Sequence, residues 1–587
     1  MLLDMQIYMP SQDPLAEEDS AFTPRNVRRW IKTAPLANLR LVSTELIELL
    51  ATSNRVSYSG KQRFTSLEYL IPTCQSYLSQ YRKLLSHQTF PLSEAAEEVY
   101  CYQQSLLSEL AIAYKIMIAE AVNGDNSLSE KKLFLCFFRS IFYLKQQYIC
   151  SVLTYQKVSD TIWPDICQLY RASDFYNFIN HTYHDREIGE KTEIENTFKY
   201  LCSLSMITFN KLRQGEASKL VKFLNKNCNL IEVKKELDSI NEDYIYVANL
   251  ATGKTPTYYI PRELPISSEN RFILYSLFIN KLSELKQKYV QSHSYYLNTD
   301  DEIDPDLANR LISMIGQPTQ RSKKRLKSNQ IVKAIVGLEQ IIGTLDPNKS
   351  VDIEDPLNED SQSIYNLGLI AMEKKASNIF QRVDFNEYAK KQAKLESQNL
   401  SAVWEPFSLE ELTDDKLQKP DENSNKRRAG TWKVENYSSG GFCLNYDSDG
   451  SCRIRVGEII AIRDINNADQ TIKWLTGTIR WMQSTPRESS RIGVELFGAE
   501  CALISAQCKN DNAAQYKGLL LKRIQDNQRK FSLLVPTRVS FETNDIVLYG
   551  KKSERNTILG QTLEKTSSFT HFEIIEISNR NKASGKA

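Results

Sequence analysis

Five histidines in 587 residues leave little material for zinc sites or for acid–base chemistry near neutral pH. Disulfide and redox signatures are missing as well. The eleven cysteines (Cys74, Cys101, Cys136 and Cys150 among them) are scattered through apolar stretches, and no C-x-x-C pair occurs. Reduced, buried thiols are the expectation. No apolar run approaches the roughly 18–20 residues that a membrane helix needs. The opening "MLLDMQIYMPSQDPLAEED" is acidic and broken by proline, which is not the pattern of a signal peptide, so the chain reads as cytoplasmic. Neither sign of charge dominates, with 74 Lys plus Arg against 72 Asp plus Glu and a net charge of +2. That balance excludes a bulk nucleic-acid coat and a polyacidic tail, so any anion site must be local.

Catalytic motifs are equally scarce. "ATGKT" at 251 ends like a phosphate-binding loop, but Ala248 stands where the first glycine belongs. The chain then runs into Pro256 and "TYYI" rather than into a helix. "HTYHD" offers His181 and His184 with Asp185 nearby, yet spacing supplies no third ligand, and a solvated helix end is the plainer reading. No nucleophile elbow, zinc-protease motif or dinucleotide fingerprint is present. The sequence therefore reads as non-enzymatic, with no catalytic residues and no metal site.

What is present is a helical first half, an apolar content of 41% sufficient for packed cores, and a β-rich end. Leu39, Val42, Leu46, Leu49 and Leu50 fall on one helical face, as do Val99, Tyr102, Leu106 and Leu110. Phe198, Leu201, Cys202 and Met206 repeat the pattern, and Ala217, Leu220, Val221 and Leu224 follow after a polar break. Strand-like spots occur between 240 and 262. "NQIVKAIVG" (329–337) is short, β-branched and ends in glycine, which predicts a strand. A polar stretch follows, with an amphipathic patch at "YNLGLIAMEKKASNIF" and the charged run "TDDKLQKPDENSNKRRAG". The fold class is thus multidomain α + β. It comprises helical domains at 1–160 and 161–315, a β-barrel in two pieces at 316–344 and 430–508, an insertion at 345–429 that is partly helical or disordered, and a small C-terminal β domain at 513–580.

The run "TWKVENYSSGGFCLNYDSDG" carries Asn436, Ser438 and Gly441 in the spacing N-x-S-x-x-G. Three strands then read "VGEIIAIRD", "GTIRW" and "RIGVELFG". This order resembles the PilZ domain, a bacterial receptor module for cyclic di-GMP. The family joins [DN]-x-S-x-x-G to an R-x-x-x-R motif just before its first strand. Close upstream there is only "KRRAG", with Arg427 and Arg428. Much further back, "TQRSKKRLKSNQIVKAIVG" holds Arg321 and Arg325 directly before the strand at 329–337. The resemblance therefore implies a PilZ domain split by a long insertion. A surface insertion costs mainly loop-closure entropy, roughly 0.6 kcal/mol per doubling of length.

On that resemblance, the ligand-binding residues are Arg321, Arg325, Asn436, Ser438 and Gly441. Gln320 stands where the family residue before R-x-x-x-R influences how many ligand molecules bind. Arginine can fork onto a phosphate, bind a guanine edge or stack on the base. Asn436 and Ser438 alternate along a strand and so share a face. The implied role is a non-enzymatic cyclic di-GMP effector, acting in bacterial processes such as motility or biofilm formation. A protein partner would meet the helical half. The other reading is an interaction scaffold whose PilZ-like barrel binds no nucleotide. RNA binding is weaker, because no aromatic stacking pattern adjoins the basic runs.

Overall fold

In a computed structural model of the chain, the described residues are 5–15, 20–86, 88–125, 127–237, 244–260, 267–292, 303–316, 324–345, 430–447, 452–464, 474–485, 489–498, 500–508, 515–525, 528–550 and 555–576. They form two compact units, Met1–Gln320 with Gln483–Arg487 and Arg321–Met482 with Glu488–Ala587.

The first unit is built on α1 (Pro24–Thr33), α2 (Leu39–Asn54), α3 (Gly60–Leu85), α4 (Glu94–Val122), α5 (Glu130–Leu153), α6 (Ile162–Phe175), α7 (Ile194–Met206), α8 (Glu216–Asn227), α9 (Ser276–Ser292) and α10 (Pro305–Ile315). Polar caps start these helices. Thr23, Asn38, Ser59, Ser93 and Asp304 each accept from a first-turn amide, and Pro24 and Pro305 occupy first-turn positions where no amide is needed. Val42, Leu46, Leu50, Leu106, Leu110, Phe198, Leu201, Leu220 and Leu224 are buried along the faces that their spacing defines. Helix α5 is buried nearly all round, and its Arg139 survives there because partners surround it. Arg139 Nε donates to Asp185 Oδ2 at 2.7 Å and Nη2 to Asp185 Oδ1 at 3.3 Å, while Nη1 donates to Tyr114 and Glu68.

Short strands trim this unit. β1 (Asp13–Pro14) pairs in parallel with β2 (Val56–Ser57), and β3 (Tyr183–Asp185) forms a hairpin with β4 (Glu190–Thr192). β5 (Glu232–Lys234), β6 (Ile245–Asn249), β7 (Thr257–Tyr258) and β8 (Asn270–Leu274) form a sheet in the order β5-β8-β6-β7. The strand-like spots at 240–262 belong to this sheet. One hydrophobic core runs from Phe22 to Ile315, where the sequence points to separate domains at 1–160 and 161–315. The helical pattern reports which faces are apolar, but not which helices share a core.

In the second unit, β9 (Leu326–Lys327) and β10 (Ile331–Val336) lead into the short helix α11 (Leu338–Thr344). After the insertion come β11 (Gly430–Ser438), β12 (Gly441–Asp447), β13 (Ile459–Asp464), β14 (Leu475–Ser484) and β15 (Ser489–Gly498). The sheet order is β10-β13-β14-β15-β12-β11-β9, and β10 also pairs with β11, which closes the barrel. Ile331 pairs with Lys433 and Ala334 with Gly430, so the split halves are hydrogen-bonded neighbours. Along β10, Val332 and Ala334 are buried while Ile331 and Lys333 are exposed, the alternation a half-buried strand requires. The insertion expected at 345–429 lies outside the described residues apart from Leu345.

A second barrel follows: β16 (Glu500–Cys508), β17 (Tyr516–Gln525), β18 (Gln528–Pro536), β19 (Ile546–Gly550), β20 (Arg555–Lys565) and β21 (Phe569–Glu576), closed in the order β16-β17-β18-β21-β20-β19. The sequence extends the first barrel to 508 and begins the next at 513. β16 instead pairs with β17 and β19, so the chain crosses over next to Gly498. "ECALISAQC" is a mostly apolar run that fits either barrel, which is why its membership is invisible in the pattern. The barrels share a core in which Ile335, Leu338, Ile341 and Ile459 meet Leu519, Leu521, Leu534 and Phe569. At about 1.5–3 kcal/mol per fully buried large aliphatic side chain, this joint contributes substantially to stability. Ser568 Oγ donates to Glu458 Oε2 at 2.6 Å across it, and burial still raises the Glu458 pKa. Arg480 forks onto Glu564 at 2.7 and 3.1 Å while its Nε donates to Glu495 at 2.6 Å.

Candidate functional site

The N-x-S-x-x-G run occupies the end of β11, the turn after it and the start of β12. Val434 pairs with Leu444 but Asn436 pairs with Cys443, so Glu435 is the extra residue of a β-bulge. Past the bulge, Tyr437 points into the barrel and is buried, while Asn436 and Ser438 sit on the other face and are half-buried. Ser438 Oγ accepts from the Gly440 amide at 3.4 Å and steadies the turn. A Cβ on Gly441 would overlap the Val494 carbonyl oxygen of β15. Close approach of two backbones therefore demands glycine there.

The first strand's leading segment lies along the same edge. Lys327 of β9 is opposite Asn436, and Leu326 is opposite Tyr437. Ser328 N donates to Glu435 O at 2.9 Å, and Val434 N donates to Gln330 O at 2.8 Å, so pairing persists between β9 and β10. Arg325, which is exposed, immediately precedes β9. Arg321 and Gln320 lie outside the described residues. Asn436 Oδ1 is buried and has no hydrogen-bond partner among the described residues, and Asn445 Oδ1 is in the same condition. An unpaired buried acceptor costs about 1–3 kcal/mol, so each such group calls for a partner.

Residues that the sequence did not mark complete this face. Arg491 Nε and Nη2 fork onto Glu435 at 2.8 and 2.6 Å. Burial pulls the Arg491 pKa down, but the Glu435 carboxylate more than offsets this and leaves it raised. Cys443 Sγ lies 3.6 Å from Glu435 Oε2, and burial together with that carboxylate pushes its pKa to about 11, so it stays a thiol. Across the sheet, Asn436 pairs with Cys443 and Cys443 with Gly493, giving a lateral row over three strands. A Cβ on Gly493 would overlap the Trp481 indole, so that ring lies against the Gly493 backbone. Trp481 ends the segment "GTIRW", which the sequence reads as the strand between "VGEIIAIRD" and "RIGVELFG".

The other motifs resolve as structure. His181 packs its ring 5.8 Å from that of Phe134, His184 pairs in register with Lys191, and Asp185 is bound by Arg139. In "ATGKT", Gly253 sits in a turn with φ +61 packed on Pro164. Among the described residues, no group of three or more His, Cys, Asp or Glu gathers as for a metal. Among the same residues no helix is long and apolar enough to cross a membrane. All eleven cysteines are free thiols.

Comparison with known proteins gives a consistent picture. Residues 25–236 match the family model described as "Cyclic-di-GMP receptor FimW, N-terminal domain", and residues 245–502 match "Cyclic-di-GMP receptor FimW, middle PilZ domain". The cyclic-di-GMP receptor FimW of Pseudomonas aeruginosa is similar at 21% identity, over 100% of this chain and 95% of that protein. No solved structure matches.

Proposed function

The chain belongs to the PilZ-domain proteins, its helical half and first barrel both being of the FimW type, and from that premise we propose that it is a cyclic di-GMP receptor. The observation that carries the reading is the register across the insertion. Lys327, two residues past Arg325, lies opposite Asn436, which supports a shared site for two segments a hundred residues apart in sequence. Arg325 and Arg321 supply forked cations for phosphate or guanine. Asn436 Oδ1, an acceptor with no donor, suits a guanine N–H, since a phosphate oxygen has no proton to give. Ser438 and Gly441 shape the turn beneath. Gln320 precedes the arginine pair and stands where ligand number is influenced.

The proposed output is non-enzymatic. Binding orders the arginine segment that joins the helical half to the barrel, and the helical half presents the surface that a protein partner reads. The setting is the bacterial cytoplasm, with processes such as motility and biofilm formation downstream. Calorimetric titration of the full chain with cyclic di-GMP tests the receptor reading, beside Arg321→Ala and Arg325→Ala. Micromolar or tighter binding is expected, weakened about ten- to a hundredfold in each variant. No heat at high ligand concentration would leave an interaction scaffold with a barrel that binds no nucleotide. Scattering profiles that match with and without bound ligand would refute the ordering mechanism alone.

A further inference from the structure

We propose that the exposed face of α1 docks an acidic helical segment of a partner protein, an inference that rests on the reading of the helical half as the surface a partner meets. The helix reads PRNVRRWIKT and contains no Asp or Glu. Its basic residues, Arg25, Arg28, Arg29 and Lys32, stand at i, i+3, i+4 and i+7, the spacing that puts side chains on one helical face. All four are exposed, while Val27 is buried and Trp30 and Ile31 pack against the core on the opposite side of the helix. Among the described residues, none of the four is ion-paired with a carboxylate. Arg28 is steadied by the Tyr69 ring of α3, its guanidinium lying 3.8 Å from the centroid. The side chains bound a depression of about 550 Å³, whose lining is these four residues and Pro24.

This arrangement is unfavourable in the free protein. Arg25 with Arg29 and Arg28 with Lys32 are like-charged pairs one turn apart, and such pairs repel. Arg25 also stands in the first turn, where the macrodipole favours a carboxylate. A chain of net charge +2 holds carboxylates enough to break up such a row, so a run of unpaired cations that opposes local helix preference points to a binding surface. Charge selects the partner. The row is about 10 Å long, the rise of seven residues, and a partner helix with Asp or Glu at the same spacing presents carboxylates along the same length. Three of the four cations are arginines, whose planar forks match carboxylates two bonds at a time. The large apolar side chains of α1 all face the core, so the helix offers no wedge for a bilayer. The ring beside the row, that of Tyr69, is taken by Arg28 rather than offered to a nucleic-acid base.

The probe is a fluorescein-labelled, alanine-based helical peptide with glutamate at i, i+3, i+4 and i+7, titrated with the full chain by fluorescence anisotropy. Wild type should bind it with a Kd on the order of 100 µM or tighter at low salt, weakening as added salt shortens the screening length. The same peptide with glutamine in place of glutamate should not bind. Arg25→Gln combined with Arg29→Gln should weaken binding on the order of ten-fold. Melting of that variant should match or exceed wild type, since repulsion has been removed. Arg25→Glu, Arg28→Glu, Arg29→Glu and Lys32→Glu together should abolish binding of the acidic peptide and confer binding of its lysine counterpart. Equal affinity of wild type for the glutamate and glutamine peptides, or no loss in the double variant, overturns the dock. Tighter retention on phosphatidylglycerol vesicles or on single-stranded DNA, lost in the same variant, overturns it in favour of a membrane or a nucleic acid. Calorimetry with cyclic di-GMP on the same samples keeps the two readings apart. A chain that binds the nucleotide but not the peptide overturns the dock alone, and one that binds the peptide but not the nucleotide overturns the receptor reading alone.

Discussion

Replacing Asn436 with alanine should move stability and affinity in opposite directions. In the free protein its Oδ1 is buried without a donor, a state that costs about 1–3 kcal/mol relative to a solvated or paired carbonyl. Truncation removes that penalty. It also removes a half-buried side chain of few apolar atoms, whose packing is worth a fraction of a kcal/mol. The net expectation is a ligand-free protein that is unchanged or more stable by about 1 kcal/mol, or about 2–4 °C in the melting of a unit this size. With cyclic di-GMP the sign reverses. The donor that would satisfy Oδ1 finds no acceptor, and affinity falls by about ten-fold. Urea or thermal melts with and without ligand, paired with calorimetry, read both effects on one sample. Destabilisation of the free protein by more than about 1 kcal/mol would refute the reasoning, since it would mean that Oδ1 already has a partner. Undiminished affinity would refute the assignment of Asn436 to the ligand.

Two further predictions concern the joint between the barrels. Burial raises the Glu458 pKa in the folded protein, so folding binds a proton there. Stability from this group is full below the ordinary carboxylate pKa and is lost as pH rises through the folded value. Relative to wild type, Glu458→Gln should gain melting temperature between about pH 4 and pH 7 and be nearly matched at pH 4; a difference independent of pH would contradict this. Arg480→Ala leaves Glu564, whose side chain is 13% exposed, without its forked partner. The cost should be about 1–2 kcal/mol once solvent screening at the more exposed arginine is allowed for. A double-mutant cycle with Glu564→Ala should return a coupling of that order, and a coupling near zero would deny that Arg480 ties the barrels together.

Much of this architecture was legible before any coordinates. Periodicity marked the helical faces of Leu46 and Leu50 or Leu220 and Leu224, because burial on a helix is written every three or four residues. Motif order alone suggested a tie between 321–325 and 436–441. The pairing of Lys327 with Asn436 was not legible, since β9 is two residues long and carries no alternation. The Glu435 bulge escaped for a related reason. A bulge is a relation between two strands, and "KVENYSS" looks the same with or without it. Arg491 was missed because its importance comes from Glu435, which another strand contributes. The shared core of the barrels was hidden too, as Ile335, Ile459 and Leu534 are unremarkable residues in any β protein.

The interrupted barrel also has a consequence for how the chain is made. Strand β10 leaves the ribosome with its partners unmade; Gly430 to Lys433, on one edge, and Ile460 to Asp464, on the other, are both still to come. At roughly 5–20 residues per second the nearer partner follows by about 5–20 seconds, a long wait for an unpaired apolar strand. During that interval Val332, Ala334 and Ile335 have no barrel to enter, and both edges of the strand are open to other chains. Lys333, facing outward among them, and the basic run just upstream at 321–327 put positive charge beside this vulnerable segment, which discourages two nascent copies from pairing. These charges thus act before the barrel is complete, keeping the orphan strand apart from its own kind until the second half of the barrel arrives.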